Sequence, residues 1–220
     1  MKKLGILGGT FDPIHNGHVY LANAAYEDLG LDEVLLIPAY VAPHKVGLDF
    51  APAKDRYLMA MLATREYPYM KVSDIEINRT GVSYTYDTIM ELKKQYPDYE
   101  FYFIVGGDTV PQLPSWHNIE ALLEMVTFVA VGRPGYTDVI NKAAAKLGPI
   151  VYEKVKMLHA EEFSVSSTKI RNCIRQRRSL IGLVPEIVQE YIYVNGLYHS
   201  NSTTLKAVDD GTWDLDDVGM

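Results

Sequence analysis

A single cysteine, Cys173, leaves this 220-residue chain without a partner for an internal disulfide. That excludes a disulfide-stapled fold and suits a reducing cytoplasm. No apolar run approaches the roughly 20 residues a membrane helix needs, so no membrane partner is expected. The N-terminus carries two lysines but only a stub of apolar sequence before its glycines, which fits no secretory signal. Basic residues are also short: 21 Lys and Arg face 28 Asp and Glu, for a formal net charge of -7. Bulk nucleic-acid binding is therefore not expected, and an anionic ligand has to be small and held by a few placed groups. What remains is 48% hydrophobic residues and 22% charged ones, the make-up of a globular protein long enough to bury a sizeable core.

Periodicity then divides the chain. Leu4 to Leu7 is a short apolar run closed by Gly8-Gly9, and Val19, Ala22, Tyr26 and Leu29 recur at helical spacing until Gly30. Val34 to Ile37 predicts a buried strand closed by Pro38, and Pro52 opens a helix with Leu58, Met61 and Leu62 as its apolar stripe. Met70 to Ile77 predicts a strand, Thr85 to Tyr96 a helix with Ile89 and Leu92 inward, and Glu100 to Val105 a strand ending at Gly106-Gly107. Further strands are predicted over Val126 to Val131 and Pro149 to Met157, and helices over Thr137 to Leu147, Ser166 to Gln176 and Pro185 to Tyr193. Strands alternating with helices imply βαβ units, hence a doubly wound α/β fold with a mainly parallel sheet covered on both faces. No composition break precedes residue 200, so residues 1–200 are expected to form a single domain. Residues 201–220 hold five Asp and one Lys without apolar periodicity, which predicts a disordered acidic tail.

In an open parallel sheet, ligands bind beyond the carboxyl ends of the strands. Here the first strand ends in Gly8-Gly9-Thr10-Phe11-Asp12-Pro13-Ile14-His15-Asn16-Gly17-His18. Paired glycines admit a ligand close to the backbone, Thr10 offers a hydroxyl, and a helix starting near Asn16 points free N–H groups at an anion. His15 and His18, three apart, bracket that helix start. Two histidines could be half of a metal site, but no third ligand stands at a fitting spacing, so no protein-held metal is expected. The glycines match neither G-x-G-x-x-G nor a Walker loop, which lowers hydride chemistry and P-loop hydrolysis.

The segment Gly8 to His18 resembles the T/HxGH signature of the nucleotidyltransferase superfamily. Its usual companion stands late in the chain: Ser166-Ser167-Thr168-Lys169-Ile170-Arg171 resembles the S-S-T-x-x-R element, with Val165 where isoleucine is commoner. Hydroxyls and N–H groups at a helix N-terminus hold phosphate oxygens, and Arg171 reaches the same anion from the next turn. Pro38 to Lys45, Arg79 to Thr88, Gly106-Gly107-Asp108, Trp116, Arg133-Pro134-Gly135 and the stretch from Val184 to Ile192 are similar to bacterial nicotinate-nucleotide adenylyltransferases.

That resemblance implies a Rossmann-like fold and a cytoplasmic enzyme that uses ATP, with Mg²⁺ bound to it, and nicotinate mononucleotide; a homo-oligomer stays open. It assigns His15, His18 and Arg171 to catalysis, and Thr10, Lys45, Ser167 and Thr168 to the ATP phosphates. Gly8, Gly9, Phe11, Gly106, Asp108 and Val165 fall around the adenosine, and Tyr84, Thr85 and Trp116 at the nicotinate nucleotide. Read from the residues alone, Thr85 could be only a helix cap, Trp116 only core and Lys45 only a solvated lysine. A phosphopantetheine or polyol-phosphate nucleotidyltransferase would share both phosphate motifs but not the Ser83-Tyr84-Thr85 and Trp116 set, and a non-catalytic nucleotide sensor would not turn substrate over.

Overall fold

A computed structural model describes residues 1–132, 137–159 and 165–199. Six strands form one sheet: β1 (Lys2–Gly9), β2 (Glu33–Pro38), β3 (Met70–Val72), β4 (Tyr99–Gly106), β5 (Thr127–Gly132) and β6 (Val155–His159). They lie in the order β3-β2-β1-β4-β5-β6, and every adjacent pair is parallel. Each strand therefore needs a crossover to reach the next, and helices supply them. These are α1 (Asn16–Leu29), α2 (Ala53–Thr64), α3 (Ile75–Arg79), α4 (Thr85–Gln95), α5 (Ile119–Met125), α6 (Thr137–Leu147), α7 (Ile150–Lys154), α8 (Ser167–Arg175) and α9 (Glu186–Val194).

Alternation along the strands sorts side chains onto two apolar cores. Leu7, Val34, Leu36, Ile104 and Val129 face one way, onto Ala22 of α1, Met59 and Ala60 of α2, Ile170 of α8 and Val188 of α9. Leu4, Ile6, Leu35, Ile37, Phe103 and Phe128 face the other way, onto Ile89 and Leu92 of α4, Leu122 and Leu123 of α5, Ala143 of α6 and Val151 of α7. Burial of each such side chain stabilises by about 1.5–3 kcal/mol. The sheet is thus clamped from both sides, as the strand–helix alternation predicts.

Three local predictions need correction. The stretch from Met70 to Ile77 is not one strand: pairing with β2 ends at Val72, the Ser73 N–H bonds to Leu36 O at 2.9 Å, and the Ser73 Oγ accepts from the Ile75 N–H at 3.3 Å, turning the chain into α3. The stretch from Pro149 to Met157 is a helix followed by a strand, because Pro149 (φ -66°, ψ -17°) starts α7 and only Val155 onward pairs with β5. The inward face of α2 is Arg56, Met59, Ala60 and Ala63, with Met61 outside, since two alanines let the helix lie close to the sheet. Residues 201–220 and Arg133-Pro134-Gly135 lie outside the described residues.

Phe128, fully buried on β5, meets Phe103 and Trp116 edge-on at 5.7 and 5.8 Å between ring centroids. Phe128→Ala is expected to destabilise the fold by about 3–5 kcal/mol through the cavity it leaves; urea unfolding measures this, and a loss under about 1 kcal/mol contradicts the packing.

Candidate active site

The strand order reverses between β1 and β4, which are neighbours in the sheet although β1 is followed in sequence by β2. A crevice opens at such a switch point, beyond the carboxyl ends of the two strands. Gly8 stands exposed at the end of β1. At the end of β4, a Cβ on Gly106 would lie 2.6 Å from Asp108 Oδ1, so only glycine lets the exposed Asp108 carboxylate fold back against the strand end.

His15, at the end of the loop after β1, and His18, in the first turn of α1, stand beyond the carboxyl end of β1. His15 caps α1 in an extended conformation (φ -148°, ψ 170°), and its ring stacks on that of His18 with centroids 3.6 Å apart. The His15 N–H donates to His18 Nδ1 at 3.2 Å, so the neutral His18 ring carries its proton on Nε2. Burial holds His15 down at a pKa of about 4 and His18 well below its ordinary value, with His15 and Lys45 adding repulsion at His18. Both rings are therefore neutral at pH 7. His15 Nδ1 is buried without a hydrogen-bond partner. Thr10 and Phe11 are buried too, and the edge-on contact of Phe11 with His18, at 4.9 Å, buttresses that ring instead of offering a free aromatic face.

Gly17 joins this loop to the late motif. A Cβ there would meet Val165 Cγ1 at 2.9 Å and His15 Nδ1 at 3.1 Å, so its absence lets the chain entering α8 close on the first turn of α1. Ser166 caps α8 by accepting from the Lys169 N–H at 3.2 Å. Ser167 Oγ donates to Pro13 O at 2.9 Å, leaving its lone pairs for another donor. Arg171 Nη1 donates to Asp12 O at 2.7 Å and lies 3.5 Å from Asp12 Oδ2, while Nη2 reaches Thr168 Oγ1 at 3.3 Å. Lys45 arrives from the 3-10 turn Pro43–Lys45; burial and the charges of Arg171 and Arg56 lower its pKa, against the pull of Asp12. Neutral N–H donors, hydroxyls and two cations thus gather around one loop, a donor set for polyphosphate.

Beneath the loop lies a group that motif spacing does not reveal. Arg56 of α2 is 1% exposed, and its guanidinium donates to four backbone carbonyls: Ala51 (3.0 Å), Thr10 (2.7 Å), Ala39 (2.6 Å) and Tyr40 (3.0 Å). Asp12, also buried, accepts at Oδ1 from the Ala51 N–H at 3.0 Å and from the Tyr198 hydroxyl at 2.8 Å. A signal existed: Arg56 occupies the first position of the stripe 56, 59, 60, 63, where an arginine has to be buried and fully bonded. The carboxylate of Asp12 and the carbonyls of Thr10, Ala39, Tyr40 and Ala51 have no such sequence signature.

A second cluster lies along the same edge. The Ala39 N–H bonds to Gly9 O, the Tyr40 N–H donates to Ser83 Oγ at 3.0 Å, and the Ser83 N–H returns to Val41 O at 2.8 Å. Ser83 leads into Tyr84, the cap of α4, with Thr85 as the first helical residue. The exposed Tyr84 ring meets His117 at 4.7 Å, next to Trp116, which is half-buried and packs edge-on against Phe103 and Phe128. The structure therefore brings Tyr84, Thr85 and Trp116 into one neighbourhood and adds His117, which sequence reasoning passed over.

The cytidylyltransferase-like family model matches residues 6–173 of the chain. Two curated relatives, from Bacillus mycoides and Bacillus cytotoxicus, each bear the name "Probable nicotinate-nucleotide adenylyltransferase"; both are 46% identical over 200 residues, covering 91% of this chain and 100% of theirs. Among solved structures, a Plasmodium falciparum nicotinic acid mononucleotide adenylyltransferase complexed with NaAD superposes with a TM-score of 0.73 at 20% identity, covering 90% of this chain and 98% of that one. No helix among the described residues is long and apolar enough to cross a membrane.

The unfolded chain takes up a proton on His15 below pH 6.5, and the native state only near pH 4, so the unfolded state binds more protons across that window. Stability should therefore fall as pH drops from 6.5 to 4, by about 3 kcal/mol from this group. His15→Asn should flatten that part of the stability curve in denaturant titrations; an unchanged slope contradicts the burial argument. Arg56→Met leaves four carbonyls without their donor and should cost about 3–5 kcal/mol, with Arg56→Lys recovering only part, because one ammonium cannot reproduce the planar fork.

Proposed function

The chain belongs to the cytidylyltransferase-like family and, within it, to the nicotinate-nucleotide adenylyltransferases, and from that membership we propose how its residues divide the reaction among them. The enzyme joins ATP to nicotinate mononucleotide, giving nicotinate adenine dinucleotide and pyrophosphate, a step of NAD biosynthesis. In our reading an oxygen of the mononucleotide 5′-phosphate attacks the α-phosphorus of ATP in line, and the bond from that phosphorus to the bridging oxygen breaks to release pyrophosphate. The nucleophile is already an anion near neutral pH, so the protein need supply no general base. Its task is alignment and stabilisation of the charge gathering on phosphoryl oxygens.

His18 is the neutral donor to the α-phosphate, through the Nε2–H that its bond from His15 leaves available. His15, Thr10, Ser167, Thr168, Lys45 and Arg171 take the remaining triphosphate oxygens. Gly8, Gly9, Gly106, Asp108 and Val165 surround the adenosine, with Asp108 accepting from the ribose. The side chain of Phe11 serves from below, through His18. Tyr84 and Thr85 offer N–H and hydroxyl donors to the nicotinate carboxylate, and Trp116 a ring face to the pyridine. The observation that carries this reading is the pair of contacts from Ser167 to Pro13 and from Arg171 to Asp12, which unite residues more than 150 positions apart around one anion-binding loop.

The donors around this loop are nitrogen and hydroxyl groups, and its carboxylate, Asp12, is engaged by Arg171, Ala51 and Tyr198. Such a set suits a magnesium ion carried in by phosphate oxygens and water. When bound, Mg²⁺ neutralises charge on those oxygens. We place the enzyme in the cytoplasm, in keeping with its lone Cys173, and take residues 1–200 as the nucleotidyltransferase domain with 201–220 as an appended acidic segment, since the relatives align over 200 residues for their whole length.

Pyrophosphate release should be faster with nicotinate mononucleotide than with nicotinamide mononucleotide and absent with phosphopantetheine; equal rates with acid and amide defeat the carboxylate assignment. His18→Ala should lower kcat about 10²- to 10³-fold while KM for ATP moves little. Unchanged turnover removes His18 from the mechanism.

A further inference from the structure

Behind the Tyr84-Thr85 turn lies a buried carboxylate that neither the phosphate loop nor the aromatic cluster uses. Glu76, on α3, is 7% exposed. Its Oε1 accepts from Thr88 Oγ1 at 2.6 Å, and the Ser83 hydroxyl lies close enough to the same carboxylate to favour its charged form. Thr88 is itself buried and accepts from Arg79 Nη2 at 2.8 Å, and the other arm of Arg79 pairs with Glu91 at 2.9 Å. Ser83 and Thr88 flank Tyr84 and Thr85 in sequence, one before the cap of α4 and one in its first turn. One carboxylate therefore grips both sides of the segment that presents the donors.

The backbone that joins Glu76 on α3 to Ser83 is strained. Thr80 has φ 57° and ψ 179°, a region that a β-branched residue rarely enters and that costs about 1–3 kcal/mol. Such a conformation persists only where its surroundings over-determine it. Here Arg79 is held on one side by Thr88 and Glu91, and Val82 and Ser83 on the other by the bridge to Val41 and the bond from Tyr40. An apolar pair could fill the same space, but it would leave the Thr88 and Ser83 hydroxyls without their acceptor and the turn free to shift.

We propose that Glu76 is a positioning residue of the acceptor subsite: by holding Ser83 and Thr88 together it sets the first turn of α4, so that the Tyr84 and Thr85 donors meet the carboxylate of the incoming mononucleotide. This rests on the reading of Tyr84, Thr85 and Trp116 as the acceptor site. It assigns Glu76 to recognition of one substrate more than the other, because its direct partners among the described residues, Thr88 and Ser83, belong to α4 and the turn before it and not to the β1–α1 loop or α8.

The test varies each substrate separately in steady-state kinetics of Glu76→Gln, Thr88→Val and Trp116→Ala, with melting temperatures measured alongside. Glu76→Gln should raise KM for nicotinate mononucleotide about tenfold, the effect of a lost charge-assisted hydrogen bond, while KM for ATP stays within about twofold. Thr88→Val, which keeps the shape and removes the hydroxyl, should give the same one-sided change and serves if Glu76→Gln fails to fold. If Trp116→Ala raises KM for the mononucleotide and neither Glu76→Gln nor Thr88→Val does, the role of Glu76 is overturned and the acceptor site stands. If none of the three does, the acceptor site is misplaced and the proposal falls with it. Equal rises in KM for both substrates, tracking melting temperature, mark Glu76 as merely structural and also overturn it.

Discussion

One guanidinium sits under the edge proposed to bind phosphate. Arg56 gathers the carbonyls of Thr10, Ala39, Tyr40 and Ala51, which belong to the ends of two adjacent strands and to the turn before α2. A strand that stops at the top of a sheet leaves carbonyls with no ladder partner, and inside a protein each must be satisfied or it costs about 1–3 kcal/mol. A single planar fork resolves four of them. It also places a fixed positive charge below the loop without occupying the space a ligand needs above it.

From that anchor the rest of the site follows by successive contacts. Asp12 offsets the positive charge of Arg56 and Arg171 and ties in the Tyr198 hydroxyl, so the end of the described chain is fastened to its beginning. Gly17 admits Val165, and Ser167 and Arg171 then close on Pro13 and Asp12. The neutral state of the two histidines follows from the same compactness. Burial removes the water that would solvate an imidazolium, and at His18 the nearby His15 and Lys45 make a further positive charge unfavourable. A neutral His18 with its proton on Nε2 is a hydrogen-bond donor before any substrate arrives, and in the proposed mechanism this leaves little reorganisation for the transfer step.

The proposed acceptor side is built differently. There the donors belong to a helix start held from behind by Glu76, Thr88 and Arg79, and the aromatic surface comes from a turn after β4 packed on Phe103 and Phe128. The phosphate side is a cation-rich loop at the sheet's centre. The proposed acceptor side is a polar network that leaves N–H groups and ring faces open, as recognition of one small carboxylate would require.

Strand and helix alternation, the glycine-rich end of β1 and the two histidines three apart were all legible in the sequence, because each depends on neighbours within about one helical turn or one strand. Binary patterning also sufficed for the parallel sheet, since strands buried on both faces read as continuous apolar runs. It failed where a run outlasted its pairing: Met70 to Ile77 turns into α3 and Pro149 to Met157 begins as α7, because strand length is decided by the partner strand and not by the residues themselves. Only the tertiary structure decided which polar groups are buried. Asp12, Glu76 and Tyr198 look in sequence like any surface residue and Arg56 is marked only by its place in the α2 stripe; their roles arise because folding removes their water and makes distant carbonyls, hydroxyls and charges their partners.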